Sequence, residues 1–285
     1  MRAGFVGLGY IGKPMALRLP AAGLATRVFD LVPAPMQELA GAGAETAASP
    51  RDLAAACDVV GVCVQTDAQV RAVLTGEDGL LAGAKPGLVI AIHSTVVPST
   101  VEAMRARAAE QGVEVVDACV SGNVRAKDPM FKLFVGGDAA QVEKIRPYLA
   151  AIAADRVTHT GPVGTACKAK ICLNLITYLQ WIAAFESFSL ARAVDLPVEV
   201  FETVGRSNGQ LTDLMVSFLQ LHKLPEAARK SEELQKFTKT QMHVAEKDLA
   251  CALELAREAG VALPGAALVS QLIARLYAVE DPKRR

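Results

Sequence analysis

Short apolar runs alternate with amphipathic stretches through roughly the first 160 residues of the chain. The runs are "GFVGL" from Gly4, "TRVFD" from Thr26, "VVGVCV" from Val59, "LVIAI" from Leu88 and "VEVVDA" from Val113, with "KLFVGG" and "RVTHTG" later. Between the early ones lie Ala/Leu/Arg-rich segments such as "GKPMALRLPAAG" and "SPRDLAAAC". Strands that are apolar on nearly every residue have no solvated face. Separated by helices, they predict a parallel sheet covered on both sides.

The punctuation agrees. Gly23 is a C-terminal stop for the first helix. Ser49-Pro50 opens a later one, with Ser as N-cap and Pro in the first turn. Ser94 to Ser99 forms a further turn or cap cluster. From about Thr165 the strand signal disappears, and "ACKAKICLNLITYLQWIAAFESFSLARAVD" predicts one helix of roughly seven or eight turns. More helical segments follow, among them "EELQKFTKTQMHVAEKDLACALELAREAG". The expected architecture is an α/β domain over 1–162 and an all-α domain over 163–285, joined by a long helix at about 165–194. No internal repeat, low-complexity tract or flexible linker interrupts it, and "DPKRR" is expected to fray.

The first connection carries chemistry. "GLGYIG" spaces Gly7, Gly9 and Gly12 as G-x-G-x-x-G, with Leu8, Tyr10 and Ile11 between them, after a strand and at the opening of a helix. Gly7 permits the tight turn, Gly9 lets backbone approach a pyrophosphate, and Gly12 allows close helix–strand packing. The helix N-terminus then offers N–H groups and a positive dipole end to phosphates. Asp30 ends the next strand, where a carboxylate can accept both adenosine ribose hydroxyls. It would repel a 2′-phosphate, and Leu31 follows it rather than an arginine, so NAD is favoured over NADP. The N-terminal domain is therefore expected to be of Rossmann type. Ligands bind beyond the carboxyl edge of such sheets, which brings in Val64 and Gln65 on one strand end and Ser94 and Thr95 on another. Ser94 and Thr95 read equally well as helix caps.

Two lysines stand where the long helix starts. A lysine there ordinarily snorkels to water. Lys168 and Lys170 point in nearly opposite directions, so they cannot share a role. Lys170 and Asn174 lie on one face, with Thr177 and Tyr178 continuing the stripe; Lys168 is assigned to solvent. A partly desolvated ammonium has its pKa drawn toward neutrality, which suits a general acid/base. Ser121 and Gly122 follow a strand end, where N–H groups and a hydroxyl suit a carboxylate, or form an ordinary turn.

Composition narrows the classes. The 285 residues are 52% hydrophobic, with 30 basic against 30 acidic side chains. A sizeable core can be buried, and zero formal charge argues against a nucleic-acid footprint. The six cysteines form no C-x-x-C pair and no zinc-spaced cluster, so no metal is expected and a reducing cytoplasm is the natural compartment. The first strand begins at Ala3, which leaves no room for a secretory signal. Ile171 to Phe185 is short of a span and contains Asn174, Thr177 and Gln180, so a buried helix is expected rather than a membrane segment. That helix is apolar nearly all round and predicts a homodimer or homotetramer with the helical domains in contact.

Four motifs in order make the chain resemble the β-hydroxyacid dehydrogenases, which include 3-hydroxyisobutyrate dehydrogenase and tartronate semialdehyde reductase. "GFVGLGYIGKPMALRL" is similar to the family's cofactor motif, "DACVSGN" to its substrate-binding segment, "GPVGTACKAKICLN" to its catalytic segment and "EKDLACAL" to its C-terminal cofactor motif. The resemblance covers essentially the whole chain. It implies a catalytic role for Lys170 assisted by Asn174, and a substrate-carboxylate anchor at Ser121, Gly122 and the following position, here Asn123. It also implies a nicotinamide-side role for Thr95 and a cofactor contact for Lys247, with Asp248 as its structural neighbour. Three departures bear on substrate choice: Asn123 replaces a second glycine, Leu173 stands where the family often has an asparagine, and His93 stands where an acidic or small polar residue is common. Arg125, Lys127 and Lys132 near the anchor read as solvated charge or as partners for a second anionic group.

The reading is an NAD-dependent oxidoreductase acting on a small β-hydroxy acid. Its alternatives are an imine or enamine reductase, which needs no lysine at position 170, and a silent NAD-binding module, which would oxidise nothing.

Overall fold

The structure is a computed structural model and describes residues 1–122 and 130–281. The chain divides into two compact units, Met1–Lys170 and Ile171–Arg285.

The first unit is an eight-stranded sheet in the order β3-β2-β1-β4-β5-β6-β7-β8. Its N-terminal half runs β1 (Arg2–Val6), α1 (Gly12–Ala21), β2 (Ala25–Phe29), α2 (Pro33–Gly41), β3 (Glu45–Thr46), α3 (Pro50–Ala56) and β4 (Val59–Val62). Next come α4 (Asp67–Thr75), α5 (Leu80–Gly83), β5 (Val89–Ile92), α6 (Pro98–Ala109) and β6 (Glu114–Ser121). The unit closes with β7 (Lys132–Gly136), α7 (Ala139–Lys144), α8 (Arg146–Ala153), β8 (Val157–Gly161) and the start of α9 (Thr165–Ala193). β4 and β5 are buried at every residue, as two-sided strands must be. One core lies on the face that includes Met15, Leu19, Leu133, Val135 and Tyr148; the other includes Leu53, Leu74, Val101, Cys119 and Cys167. The apolar-run pattern thus gives the covered sheet it predicts, parallel in all pairs but one.

Two details differ from the pattern. The two-residue strand β3 extends the sheet beyond β2; "ET" is too short and too polar to be read as a strand. β7 pairs with β6 antiparallel, whereas every other pair is parallel. Ten residues separate Ser121 from Lys132, and a parallel return needs a crossover of about a dozen or more.

Helix ends follow the local signals in most places. Gly23 adopts φ +80° just past α1. Ser49 caps α3, accepting from the Asp52 N–H. The Ser94–Ser99 cluster behaves differently. α6 opens after Val97 with no side-chain cap of its own, and the Val97 N–H donates instead to Asp67 Oδ1 at 3.1 Å. That cap comes from thirty residues upstream.

The second unit is helical: the rest of α9, then α10 (Val198–Ser207), α11 (Asp213–Lys223), α12 (Glu226–Arg229), α13 (Glu232–Ala259) and α14 (Pro264–Leu276). α13 stops at Gly260 in the left-handed conformation. Tyr178, Met242, Ala245, Leu249, Val269 and Ile273 form its main core. By length and composition α9 could cross a membrane, yet only 22% of its most apolar window is buried in this chain. The expectation of a buried helix over Ile171 to Phe185 therefore holds only in part: Leu173 and Ile176 are exposed.

Candidate active site

The glycine loop follows the end of β1, where strand order reverses between β2 and β4, the place at which such sheets take their ligands. Gly7 has φ +92°, and a Cβ there would collide with the Cys63 carbonyl. Gly12 sits against the Gly7 carbonyl just as tightly. Beside Gly9, by contrast, a Cβ would meet nothing within 4 Å. No side chain caps α1 at Ile11, and its first turn carries no acidic residue. Leu8 is buried and Tyr10 exposed. Asp30 accepts the Leu8 N–H at 2.5 Å through Oδ2 and the Val32 N–H at 2.8 Å through Oδ1. One carboxylate thus shapes both the glycine loop and the turn after β2. An open backbone at Gly9, an uncapped helix end and a carboxylate at the next strand end suit a dinucleotide's pyrophosphate and ribose.

The neighbouring strand ends are tied together. The Val64 N–H donates to Ser94 Oγ at 2.9 Å, linking the chain after β4 to the chain after β5. The Gln65 N–H donates to Gln69 Oε1, within the capping box that Thr66 and Gln69 build at the start of α4. Ser94 is therefore a bridge between strand ends rather than a cap of α6. Thr95, next to it, is half-buried.

His93 lies inside the fold. It is 1% exposed, with Nδ1 2.6 Å from the Ala118 carbonyl and Nε2 2.8 Å from the Tyr148 hydroxyl. Phe5 and Tyr148 flank its ring. Burial pushes its pKa down to about 4, so the ring is neutral, donating to Ala118 and accepting from Tyr148.

β6 brings the helix to the sheet. Asp117, Cys119 and Ser121 alternate onto one face. Asp117 accepts the Gly164 N–H at 2.8 Å and the Cys167 N–H at 2.9 Å, two donors at the start of α9. Cys119 and Cys167 lie with their sulfurs 3.7 Å apart. Burial pushes the Asp117 carboxyl up, against the pull of the N–H groups it accepts. Asp117 opens the "DACVSGN" segment, and a lone acid inside "VEVVDACV" is the signal in the sequence that could have given it this role. Ser121 is the last residue of β6 and half-buried. Gly122 follows with φ +149°, where a Cβ would come within 2.6 Å of the Met130 carbonyl. Asn123, Arg125 and Lys127 lie outside the described residues.

On α9, Lys168 is exposed and Lys170 half-buried, as the helical spacing predicts. Asn174, one turn on, donates through Nδ2 to Asp248 Oδ2 at 2.7 Å. The Tyr178 hydroxyl donates to the same oxygen at 2.9 Å. Lys247 Nζ lies 2.7 Å from Asp248 Oδ1, an ionic contact rather than an aligned hydrogen bond. Asp248, 4% exposed, is the hub of this group within the helical unit. Burial first, then the nearby carboxylate, push the Tyr178 hydroxyl up and keep it a donor. The Thr177 hydroxyl donates to the Leu173 carbonyl, one turn back on the same helix. Among the described residues no group of three His, Cys, Asp or Glu side chains could hold a metal ion.

The chain is similar to known proteins along nearly its whole length. The family model described as the NAD binding domain of 6-phosphogluconate dehydrogenase matches residues 2–161. The model described as NAD-binding of NADP-dependent 3-hydroxyisobutyrate dehydrogenase matches residues 164–284. A 2-(hydroxymethyl)glutarate dehydrogenase of Eubacterium barkeri is 32% identical over 95% of this chain and 88% of its own. An NAD-dependent L-serine dehydrogenase of Pseudomonas aeruginosa is 37% identical over 72% of this chain and 69% of its own. Among solved structures, Mycobacterium tuberculosis 3-hydroxyisobutyrate dehydrogenase with L-serine has a TM-score of 0.81 and 26% identity, covering 98% of this chain and 94% of that one.

Proposed function

The chain belongs to the β-hydroxyacid dehydrogenase family, with 3-hydroxyisobutyrate dehydrogenase among its relatives, and from that premise we propose that this nicotinamide-dependent oxidoreductase uses NAD to oxidise a small β-hydroxy acid, with Lys170 as its general acid/base. The observation that carries the reading is the grip of Asp117 on the start of α9. It fixes the helix that bears Lys170 over the face of β6 that ends at Ser121.

Each group then has a task. The Ser121 hydroxyl and the backbone around Gly122 hold the substrate carboxylate. Lys170 takes the proton of the substrate hydroxyl and returns it in the reverse direction. Asn174 presents its amide oxygen to the lysine or the substrate hydroxyl, because its nitrogen is committed to Asp248. The bound dinucleotide supplies the hydride acceptor. Gly7, Gly9 and Gly12 with the end of α1 receive its pyrophosphate, and Leu8, Tyr10 and Ile11 line that loop. Asp30 takes the adenosine ribose, and the exposed Leu31 and Val32 beside it offer nothing to a 2′-phosphate, which favours NAD over NADP. Val64, Gln65 and Thr95 form the shelf for the nicotinamide side, and the family resemblance assigns Lys247 a cofactor contact.

The product is a semialdehyde or β-keto acid. Replacing Lys170 by Ala is expected to lower kcat at least about a hundredfold while NADH still binds. A near-normal rate would remove this lysine from the chemistry. A silent module would bind NADH and oxidise no member of a hydroxy-acid panel followed at the NADH absorbance.

The exposed apolar residues of α9, with Val200 and Val204 on α10, call for cover. A second copy of the chain supplies it in a homodimer or homotetramer; a monomer by light scattering at micromolar concentration would contradict this. Six free thiols suit a reducing cytoplasm.

A further inference from the structure

The antiparallel return of the sheet sets a cation beside the serine that the proposed reading assigns to the substrate carboxylate. Ser121 and Lys132 are direct partners in the β6–β7 ladder. The same ladder pairs Cys119 with Phe134 and Val120 with Leu133. Leu133 enters the core beside α1 and α8, whereas Cys119 and Phe134 belong to the opposite core, the one containing Cys167 of α9. By alternation, Ser121 and Lys132 share the face over which α9 begins. Direct antiparallel partners place their Cβ atoms about 5 Å apart.

Lys132 is exposed, and among the described residues it enters no ion pair. Arg156, in the approach to β8, is committed elsewhere: its Nε donates to the Phe131 carbonyl at 3.1 Å. β7 lies between β6 and β8, so Lys132 is not an edge lysine that guards against stray strand pairing.

The anchor formed by a serine hydroxyl and backbone N–H groups is electrically neutral, and one carboxylate satisfies it. A lysine is a flexible point charge with three donors, able to follow a second anionic group a short spacer away. We infer that Lys132 forms a second anion subsite next to Ser121, and that the ligand class it selects is a short aliphatic dicarboxylate. The inference rests on the proposed assignment of Ser121 to a substrate carboxylate.

The test uses unreactive probes, so it does not depend on turnover. Glutarate and butyrate are titrated calorimetrically into the enzyme with saturating NAD. Glutarate is expected to bind about tenfold more tightly, with the margin shrinking as salt is raised. Lys132→Ala abolishes the margin and leaves butyrate affinity unchanged within about twofold, while Lys132→Arg keeps most of it. Equal affinities in the wild type, or a glutarate preference that survives Lys132→Ala, would overturn the subsite. A hydroxy-acid panel is run alongside. If glutarate binds through Lys132 while no β-hydroxy acid reduces NAD, the subsite stands and the proposed reaction falls.

Discussion

Asn174 donates to Asp248 at 2.7 Å, a hydrogen bond between residues 74 apart in sequence. A carboxylate only accepts, so this bond settles which end of the amide faces Asp248 and leaves the amide oxygen turned toward other donors. The buried Tyr178 hydroxyl uses the same oxygen of Asp248. Replacing Asp248 by Ala orphans Tyr178 and releases the amide. The expected loss is about 2–3 kcal/mol of stability, read as a lower denaturant midpoint. Asp248→Asn retains an acceptor and is expected to recover most of the midpoint but only part of kcat. Equal recovery of both would show that the carboxylate's role ends at folding.

Asp117 ties β6 to α9 with a buried carboxylate and two backbone donors. Asp117→Ala leaves both N–H groups without their acceptor, at a cost of about 2–4 kcal/mol. Because the same contact places Lys170, kcat is expected to fall further than NADH affinity. Denaturant unfolding and steady-state kinetics on one preparation separate the two effects. A drop in midpoint with unchanged kcat would detach the helix anchor from catalysis.

His93 gives a pH signature. Its folded pKa of about 4 lies below the ordinary 6.5. The folded chain therefore holds fewer protons on this ring than the unfolded chain between those values, and stability falls as pH drops from 6.5 toward 4. The full contribution, present above 6.5, is about 3 kcal/mol. Urea midpoints across this range in wild type and His93→Asn are expected to diverge at high pH and converge at low pH. Parallel curves would show that another group sets the slope.

Asp30 supports the glycine loop through Leu8 as well as offering itself to a ribose. Asp30→Ala is expected to weaken NADH binding by about tenfold or more. It also removes the charge that opposes a 2′-phosphate, so the ratio of NADPH to NADH affinity rises. Fluorescence titration with both dinucleotides reads the two effects. An unchanged ratio would mean that the carboxylate does not choose the cofactor.

Much of this protein is written in stretches of a few residues. Apolar runs without a solvated face require a covered sheet, and they produced β1, β2, β4, β5 and β6 where the pattern places them. Gly7 is required by its positive φ, Ser49 caps the helix it precedes, and four-residue spacing puts Lys170 and Asn174 on one helix face. Such features follow from local sterics and helical period, which a short segment carries within itself.

Tertiary structure decided what depends on distant partners. The pairing of Ser121 with Lys132 follows from the antiparallel return of β7, and His93 became a core residue because Tyr148 and Ala118 close over it. Asp67 caps α6 from the start of α4, Asp117 grips α9, and Asp248 collects Asn174 and Tyr178 from another helix. A charged residue carries no local mark of the buried donor it will meet. That donor is set by strand order and helix packing, and both depend on contacts between segments far apart in the chain.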